Sequence, residues 1–185
     1  LAAPHALAST VQLEDLTWTE LQAKVLAGYT TALIPIGGTE QSGPHLALGK
    51  HNARVKVLAQ LIAERLGHAL VAPVLAYTPE GSYAPPTSHM KFPGTITVPD
   101  AAFESLLASA ANSLKIHGFT TVVFLGDHGS YQRNLQRVAQ SLNKAWGPGG
   151  PRALVPLAYY QSSAEGYTAL LRQQGYTDNE IGTHA

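Results

Sequence analysis

Residues 33–54, LIPIGGTEQSGPHLALGKHNAR, join an apolar run that ends in two glycines to a segment with one carboxylate and two imidazoles. The run belongs to residues 31–36, which lack polar alternation, as is typical of a strand buried on both faces of a sheet. Glu40, His45 and His51 follow it in a segment with the composition of a loop. Ionisable side chains placed just beyond a buried strand indicate a functional site.

Helical and extended patterns alternate along the rest of the chain. Helices are predicted where apolar residues recur every three or four positions, and strands where short apolar runs lack that period. The predicted helices cover residues 16–28, 52–67, a segment that Asp100 caps and Gly118 follows, a segment with Leu135, Val138 and Leu142, and residues 163–174. The predicted strands cover residues 31–36, 68–77, 121–125 and 152–159. This alternation implies a single α/β domain in three layers, α/β/α, with a mostly parallel central sheet.

Polar clusters follow two of the predicted strands. Glu40 comes after the first strand, and Asp127, His128 and Ser130 come after the third. Ligands of open α/β sheets bind beyond the carboxyl ends of the strands, so both clusters are expected at one edge of the sheet. Residues 78–99 form a long segment without a clear period, and ordered segments of this length are usually functional.

The composition excludes several classes of function. Lys plus Arg equals Asp plus Glu, at 12 each, and no basic stripe is present, so nucleic acid and anionic membranes are not expected as partners. No apolar run approaches the roughly 20 residues of a membrane span. The chain has no cysteine, which excludes disulfides and thiol nucleophiles. Any metal must therefore be bound by carboxylates and by some of the 8 histidines.

Four segments, in order, resemble the creatininase-like amidohydrolases. GGTEQSGPHLALGKH resembles the family segment GSxEQHGPHLPLxTD, and Phe92-Pro93-Gly94-Thr95 contains the family PGT element. GDHGSY at 126–131 resembles NGHGGN, and His184-Ala185 resembles the start of a final HAG motif. The resemblance implies a creatininase-like domain over residues 1–185. An acidic residue, Thr and Ser follow HAG in the family, so the domain is expected to be incomplete at its C-terminus.

The resemblance implies a metal site with altered ligands. The typical member holds two metal ions, and of its ligand positions this chain keeps Glu40 and His128. Ser42, His51 and Ser130 stand where the family has His, a bridging Asp and, in creatininase itself, Glu. Imidazole has one lone pair and cannot bridge two ions, and a neutral Ser is a poor ligand. We therefore expect one divalent ion per chain, held by Glu40, His51 and His128, with Zn²⁺ as the first expectation and Mn²⁺ as the alternative.

Further residues receive roles from the same reasoning. His184 matches the family histidine that assists ring opening, and it is predicted as a catalytic acid or base. Asp127 is also predicted to be a catalytic residue. Alternatively, it orients a metal-bound histidine or only forms a turn. The predicted substrate contacts are His45, Tyr83, His89 and Ser130, and the long segment contributes Tyr77 and Glu80 to the pocket wall. His51 lies at the predicted start of a helix, so the alternative to metal binding is that its side chain is simply exposed to solvent.

Two functions remain open at this point. The first is hydrolysis of an amide C–N bond in a small molecule, linear or cyclic, by a metal-activated water. The second is a non-catalytic descendant that binds a small molecule or a metal in the old pocket. The resemblance also implies a homo-oligomer, a hexamer as in creatininase itself.

The start of the chain raises the question of its location. Leu1 is not Met, and Ala6-Leu7-Ala8 resembles the end of a secretory signal, so a periplasmic or secreted protein is expected. The alternative is that the sequence starts at an arbitrary point of the chain, in which case a cytoplasmic protein is expected.

Overall fold

Four parallel strands form the centre of the molecule. The computed structural model describes residues 10–182, and the expectations that rest on residues 1–9 and on His184 lie outside them. The strands are β1 (Thr31–Ile36), β2 (Ala69–Val71), β3 (Thr121–Gly126) and β4 (Arg152–Leu154), in the order β2-β1-β3-β4. The helices are α1 (Trp18–Leu26), α2 (Lys50–Leu66), α3 (Asp100–Ile116), α4 (Gln132–Trp146), α5 (Leu157–Gln173) and α6 (Asp178–Ile181). The predicted α/β class with a parallel sheet is confirmed.

Helices cover both faces of this sheet. Successive side chains of β1 point to opposite faces, so Ile34 and Leu33 belong to different apolar clusters. On the Ile34 face, Phe103 of α3 and Leu135 of α4 pack in one core. On the Leu33 face the core residues come from α2, with α5 packed against them. The molecule therefore has the three layers that the sequence predicts.

The carboxyl ends of the two central strands are level. β1 and β3 pair in register from Thr31 with Thr121 to Ile36 with Gly126. The segments that follow them, residues 37–40 and 127–130, consequently leave the sheet side by side. This alignment brings the two polar clusters of the sequence to one place.

Prolines shorten two strands relative to their predicted lengths. The strand predicted at 68–77 is wrong beyond Val71, because Pro73 follows and only an isolated bridge between Ile36 and Leu75 continues the pairing. The strand predicted at 152–159 ends at Leu154, and α5 begins directly after Pro156. Proline has no N–H to donate to a ladder but suits the start of a helix, so the chain turns from strand to helix there.

The predicted cap of α3 is also wrong. Pro99 holds the N-cap position, and Asp100 is already the first helical residue. The Asp100 carboxylate instead accepts a hydrogen bond of 2.9 Å from Asn134 Nδ2 of α4. It therefore joins two helices of the same layer.

The segment 78–99 is ordered and folds over the edge of the sheet. It contains one short 3₁₀ helix, Ser88–Lys91, and a bridge joins Thr78 to Thr97. The backbone N–H of Ile96 donates to the carbonyl of Thr39 at 2.9 Å. The segment is thus tied to the loop that carries Glu40. Within residues 10–182, no helix combines the length and apolar character needed to cross a bilayer.

Candidate metal centre

Glu40 lies at the centre of the candidate site and is fully buried. Its Oε1 is 2.9 Å from His51 Nε2 and 3.5 Å from His128 Nε2, and its Oε2 is 3.2 Å from His89 Nδ1. Burial alone would raise the pKa of this carboxyl. The hydrogen bond with His51 and, at the acidic pH where Glu40 titrates, attraction to the imidazoles of His128 and His89 together outweigh burial and lower the pKa of Glu40 to about 2. The site therefore contains a buried carboxylate surrounded by imidazoles.

His51 lies in the first turn of α2, between two carboxylates. Its Nδ1 is 2.8 Å from Asp127 Oδ2, and its Nε2 faces Glu40. Burial lowers the pKa of His51, but the hydrogen bonds with Asp127 and Glu40 raise it to a larger extent. An ionised carboxylate only accepts, so Nδ1–H donates to Asp127. A carboxylate behind one imidazole nitrogen is the arrangement that aims the other nitrogen at a metal.

Asp127 directly follows β3 and is saturated with donors. Besides His51, it accepts hydrogen bonds from Arg54 Nε at 2.9 and 3.1 Å and from the Tyr159 hydroxyl at 2.8 Å. The sequence predicts Asp127 either in the catalytic group or as a residue that orients a histidine. Its contacts suit the orienting role, because both oxygens are already occupied by protein donors.

His128 is held by Ser130 and stays neutral. Its Nδ1 is 2.8 Å from Ser130 Oγ, and that hydroxyl lies 3.2 Å from the carbonyl of Pro79. Burial lowers the pKa of His128 to about 4, so the ring is uncharged at neutral pH. Neutral imidazole is the form that binds metal ions.

Glu80 and His89 come to the same place from the segment 78–99. Glu80 is buried, and its Oε1 accepts a hydrogen bond of 2.7 Å from the Thr78 hydroxyl. Burial, together with the charge of Glu40, raises the pKa of Glu80 to about 8. Among the described residues, one group has donor atoms that all lie within 4.8 Å of one another, and its members are Glu40, Glu80, His89 and His128.

This donor set fits a divalent cation. Glu40 Oε2 and Glu80 Oε2 are buried, and neither has a hydrogen-bond partner within residues 10–182. Leaving a buried polar atom without a partner costs roughly 1–3 kcal/mol, and more for a charged group. Two buried carboxyl groups, each with one oxygen that makes no hydrogen bond, lie here among imidazoles, and carboxyl and imidazole groups are the ligands that Zn²⁺ and Mn²⁺ bind.

The sequence identified part of this site. The predicted ligands Glu40, His51 and His128 lie together, while Glu80 and His89 were predicted only to line the pocket. The only signal for them was two ionisable residues within a long segment that lacks a period. The role of each residue as a metal ligand stays a prediction.

The remaining predicted residues lie apart from this cluster or outside the described chain. His45 is exposed and lines a cavity of about 700 Å³ between its own loop and α5 and α6. Tyr83 is 67% exposed. His184 falls outside residues 10–182. The predicted substrate contacts His89 and Ser130 are the ones that touch the cluster.

A cavity of about 310 Å³ opens beside the cluster. Lys50, His51, Arg54, His128 and Ser130 are among its lining residues. Its volume lies at the lower end of the range for small-molecule sites. A larger cavity of about 800 Å³ between α2 and α5 has mostly apolar walls and no histidine or carboxylate in its lining.

Glu80 should make the stability of the metal-free protein depend on pH. Its pKa is raised from 4.5 to about 8 in the folded state, so at intermediate pH the folded chain holds a proton that the unfolded chain has released. The contribution of Glu80 to the free energy of unfolding is therefore expected to fall as pH rises through this window, by at most about 1.4 kcal/mol per pH unit. Urea unfolding at several pH values measures the slope.

Glu80→Gln is the matched variant for this measurement. It keeps the shape of the side chain and removes the titration, so the difference between wild type and variant isolates Glu80 from the histidines around it. A difference that does not change with pH would show that the Glu80 pKa is not raised.

Comparison with known proteins gives consistent results. The creatininase family model, described as creatinine amidohydrolase, matches residues 14–185. A creatinine amidohydrolase of Pseudomonas putida is 29% identical over 122 residues, which are 66% of this chain and 46% of that protein. A mycofactocin precursor peptide peptidase of Mycolicibacterium smegmatis is 35% identical over 102 residues, which are 52% of this chain and 38% of that protein. The matched region thus spans less than half the length of either relative.

Solved structures of creatininases have the same fold. One creatinine amidohydrolase structure superposes with a TM-score of 0.72 and 25% identity, covering 96% of this chain and 68% of the other. A creatininase structure described as the Mn form gives a TM-score of 0.70 and 25% identity, covering 91% and 64% of the two chains. A creatininase mutant described as Zn-Zn type superposes with a TM-score of 0.71 and 24% identity, covering 90% of this chain and 64% of the other.

Proposed function

Because the chain belongs to the creatininase family, we propose that it is a metal-dependent hydrolase that cleaves an amide C–N bond of a small molecule, linear or cyclic. The observation that carries the proposal is the buried Glu40 carboxylate, which lies between the imidazoles of His51 and His128 at the carboxyl ends of β1 and β3. Both the family ligand positions that this chain keeps, Glu40 and His128, belong to this arrangement.

Three residues would hold the ion. Glu40 offers Oε1, and His51 offers Nε2 with Asp127 behind its other nitrogen. His128 offers a neutral ring that Ser130 holds in place. A bound divalent ion supplies an acidified water and polarises the amide carbonyl. Zn²⁺ is our first assignment and Mn²⁺ the alternative, because imidazole and carboxylate suit both and a similar creatininase is described as a Mn form.

The protein's own residues position the reaction. Asp127 and Arg54 fix the ring of His51, and the 310 Å³ cavity beside the cluster admits a small substrate. Lys50 lines that cavity, as do Arg54 and Asp127, whose opposite charges pair at 2.9 Å. Proton transfer to the leaving nitrogen remains assigned to His184, on the resemblance alone. Assembly into a homo-oligomer also remains a prediction.

A second candidate function is binding without catalysis. Four protein donors, Glu40, Glu80, His89 and His128, lie within reach of one ion. Four protein ligands fill a tetrahedral zinc site, as in structural sites, and leave no position for water. A chain that uses its donors in this way would bind a metal or small molecule without hydrolysing an amide.

Metal analysis combined with an activity assay tests the proposal. The purified protein is expected to hold at least one equivalent of Zn²⁺ or Mn²⁺ per chain and to hydrolyse a member of a panel that includes creatinine and short peptides. Chelation should abolish that activity and added metal should restore it. His51→Ala should lose metal, whereas His117→Ala, an exposed histidine, should keep it.

Two outcomes would go against hydrolysis by a bound metal. Full activity of the chelated protein would show that the metal is dispensable. Stoichiometric metal without turnover of any amide in the panel would favour the binding function.

A further inference from the structure

The cavity of about 700 Å³ that His45 lines adjoins the cavity of about 310 Å³ beside the metal centre. Gly182 lines both of them. On α5, Ala164 and Thr168 line the small cavity. Tyr167 and Leu171, each three positions further along, line the large one, and residues three apart are neighbours on the surface of a helix. One ligand can therefore place its reacting end in the small cavity and extend into the large one.

The wall of the large cavity is mainly apolar, and part of it is open to solvent. Among its lining residues, Leu46 is 45% exposed, Tyr167 is 44% exposed and Tyr176 is 51% exposed. Exposed apolar side chains gathered around a cavity mark a binding site, because a ligand that covers them removes apolar surface from water. The lining consists of Ser42, Gly43, His45, Leu46, Tyr167, Leu171, Tyr176, Glu180, Ile181 and Gly182.

Ser42 lies where the large cavity meets the metal centre. It follows Glu40 by two residues and lines the cavity. Its Oγ is buried, and it has no hydrogen-bond partner within residues 10–182. The family pattern has a metal-binding His at this position, and the smaller Ser leaves the space of an imidazole ring between the centre and the cavity. A buried hydroxyl without a partner at this junction is suited to a hydrogen bond with a ligand that passes it.

We propose that the large cavity binds an aromatic or branched aliphatic side group of the amide substrate, while Ser42 forms a hydrogen bond with the polar part of the substrate at the junction. This inference rests on the proposed function, because it names the substrate class of the same site. The substrate is then an amide with a large apolar substituent, and Leu46 and Leu171 are among the residues that select it.

Binding of hydroxamates to the purified, Zn²⁺-loaded protein tests the inference without turnover. A hydroxamate binds the metal ion in place of the amide. Acetohydroxamate is the reference compound, and phenylalkyl hydroxamates with linkers of one to five methylenes carry a ring toward the large cavity. The best of these is expected to bind at least about 10-fold more tightly than acetohydroxamate, because even one methylene in an apolar pocket is worth roughly 10- to 200-fold. Isothermal titration calorimetry measures both affinities.

Two variants of the cavity wall locate the bound ring. Leu46→Ala and Leu171→Gln are each expected to weaken binding of the best phenylalkyl compound by about 4-fold or more, which is the effect of one buried methylene. Neither should change the affinity for acetohydroxamate. Leu106→Ala is the matched control, because Leu106 is 49% exposed on α3 and lies outside the lining of both cavities. It should leave both affinities unchanged.

The possible results separate this inference from the proposed function. Phenylalkyl compounds that bind no more tightly than acetohydroxamate would overturn the inference and leave the hydrolase intact. An affinity gain that survives in both Leu46→Ala and Leu171→Gln would place the ring elsewhere and would also overturn it. Failure of every hydroxamate to bind would contradict the metal centre and, with it, both proposals.

Discussion

Replacing Glu40 by Gln is expected to lower the rate of amide hydrolysis by more than about 100-fold. Removing a residue that only supports a metal ligand typically costs 10- to 100-fold in affinity or activity. Glu40 would itself be a ligand, and it also contacts His51, His89 and His128. The amide keeps the size of the side chain but removes its charge and replaces one oxygen by a donor. The loss should therefore exceed the range for a supporting residue.

The measurement compares kcat/KM and bound metal in the variant and the wild type. Glu64→Gln is the control, because it makes the same carboxylate-to-amide change at an exposed position of α2. The Glu40 variant should also lose metal, whereas circular dichroism should show the fold unchanged. A loss of less than about 10-fold with metal still bound would remove Glu40 from the centre of the site.

The sequence predicted the scaffold of the site because its central strands are unambiguous. Residues 31–36 and 121–125 are short, apolar and bounded by polar segments, and they became β1 and β3 with nearly the same bounds. The outer strands were predicted too long because apolar runs do not show where backbone pairing stops. Pro73 and Pro156 end the pairing of the two outer strands, because proline has no N–H to donate. Whether a proline interrupts a strand in this way depends on which strand lies beside it in the sheet.

The site was predictable where it follows those strands and not elsewhere. Glu40 and His128 come directly after β1 and β3, so the parallel pairing alone brings them together. Glu80 and His89 arrive through the fold of the segment 78–99, whose path is set by tertiary contacts such as the bridge from Thr78 to Thr97. A sequence without periodicity carries no signal for that path.

Tyr131 ties the two strand ends together and stands where the family motif has Asn. Its ring is fully buried, and its hydroxyl lies 2.9 Å from the carbonyl of Ile36 and 2.6 Å from that of Gly37. The same hydroxyl accepts from the backbone N–H groups of Asp127 and His128 at 3.1 and 3.0 Å. One oxygen thus joins the segment that leads to Glu40 with the segment that carries His128.

Tyr131→Phe is therefore expected to lower the free energy of unfolding by about 2 to 6 kcal/mol, since at least the carbonyl of Gly37 and the N–H of His128 lose a buried partner at roughly 1–3 kcal/mol each. Phe fills the same volume, so the change isolates the hydroxyl from packing. Urea unfolding measures the effect. The control is Tyr176→Phe: Tyr176 is 51% exposed, so this variant should unfold within about 0.5 kcal/mol of wild type. Metal affinity should fall in Tyr131→Phe as well, because the two strand ends set the spacing between Glu40 and His128. Equal stability of the two variants would show that the strand ends hold their positions without this hydroxyl, and that the backbone pairing of β1 with β3 is sufficient to place the site.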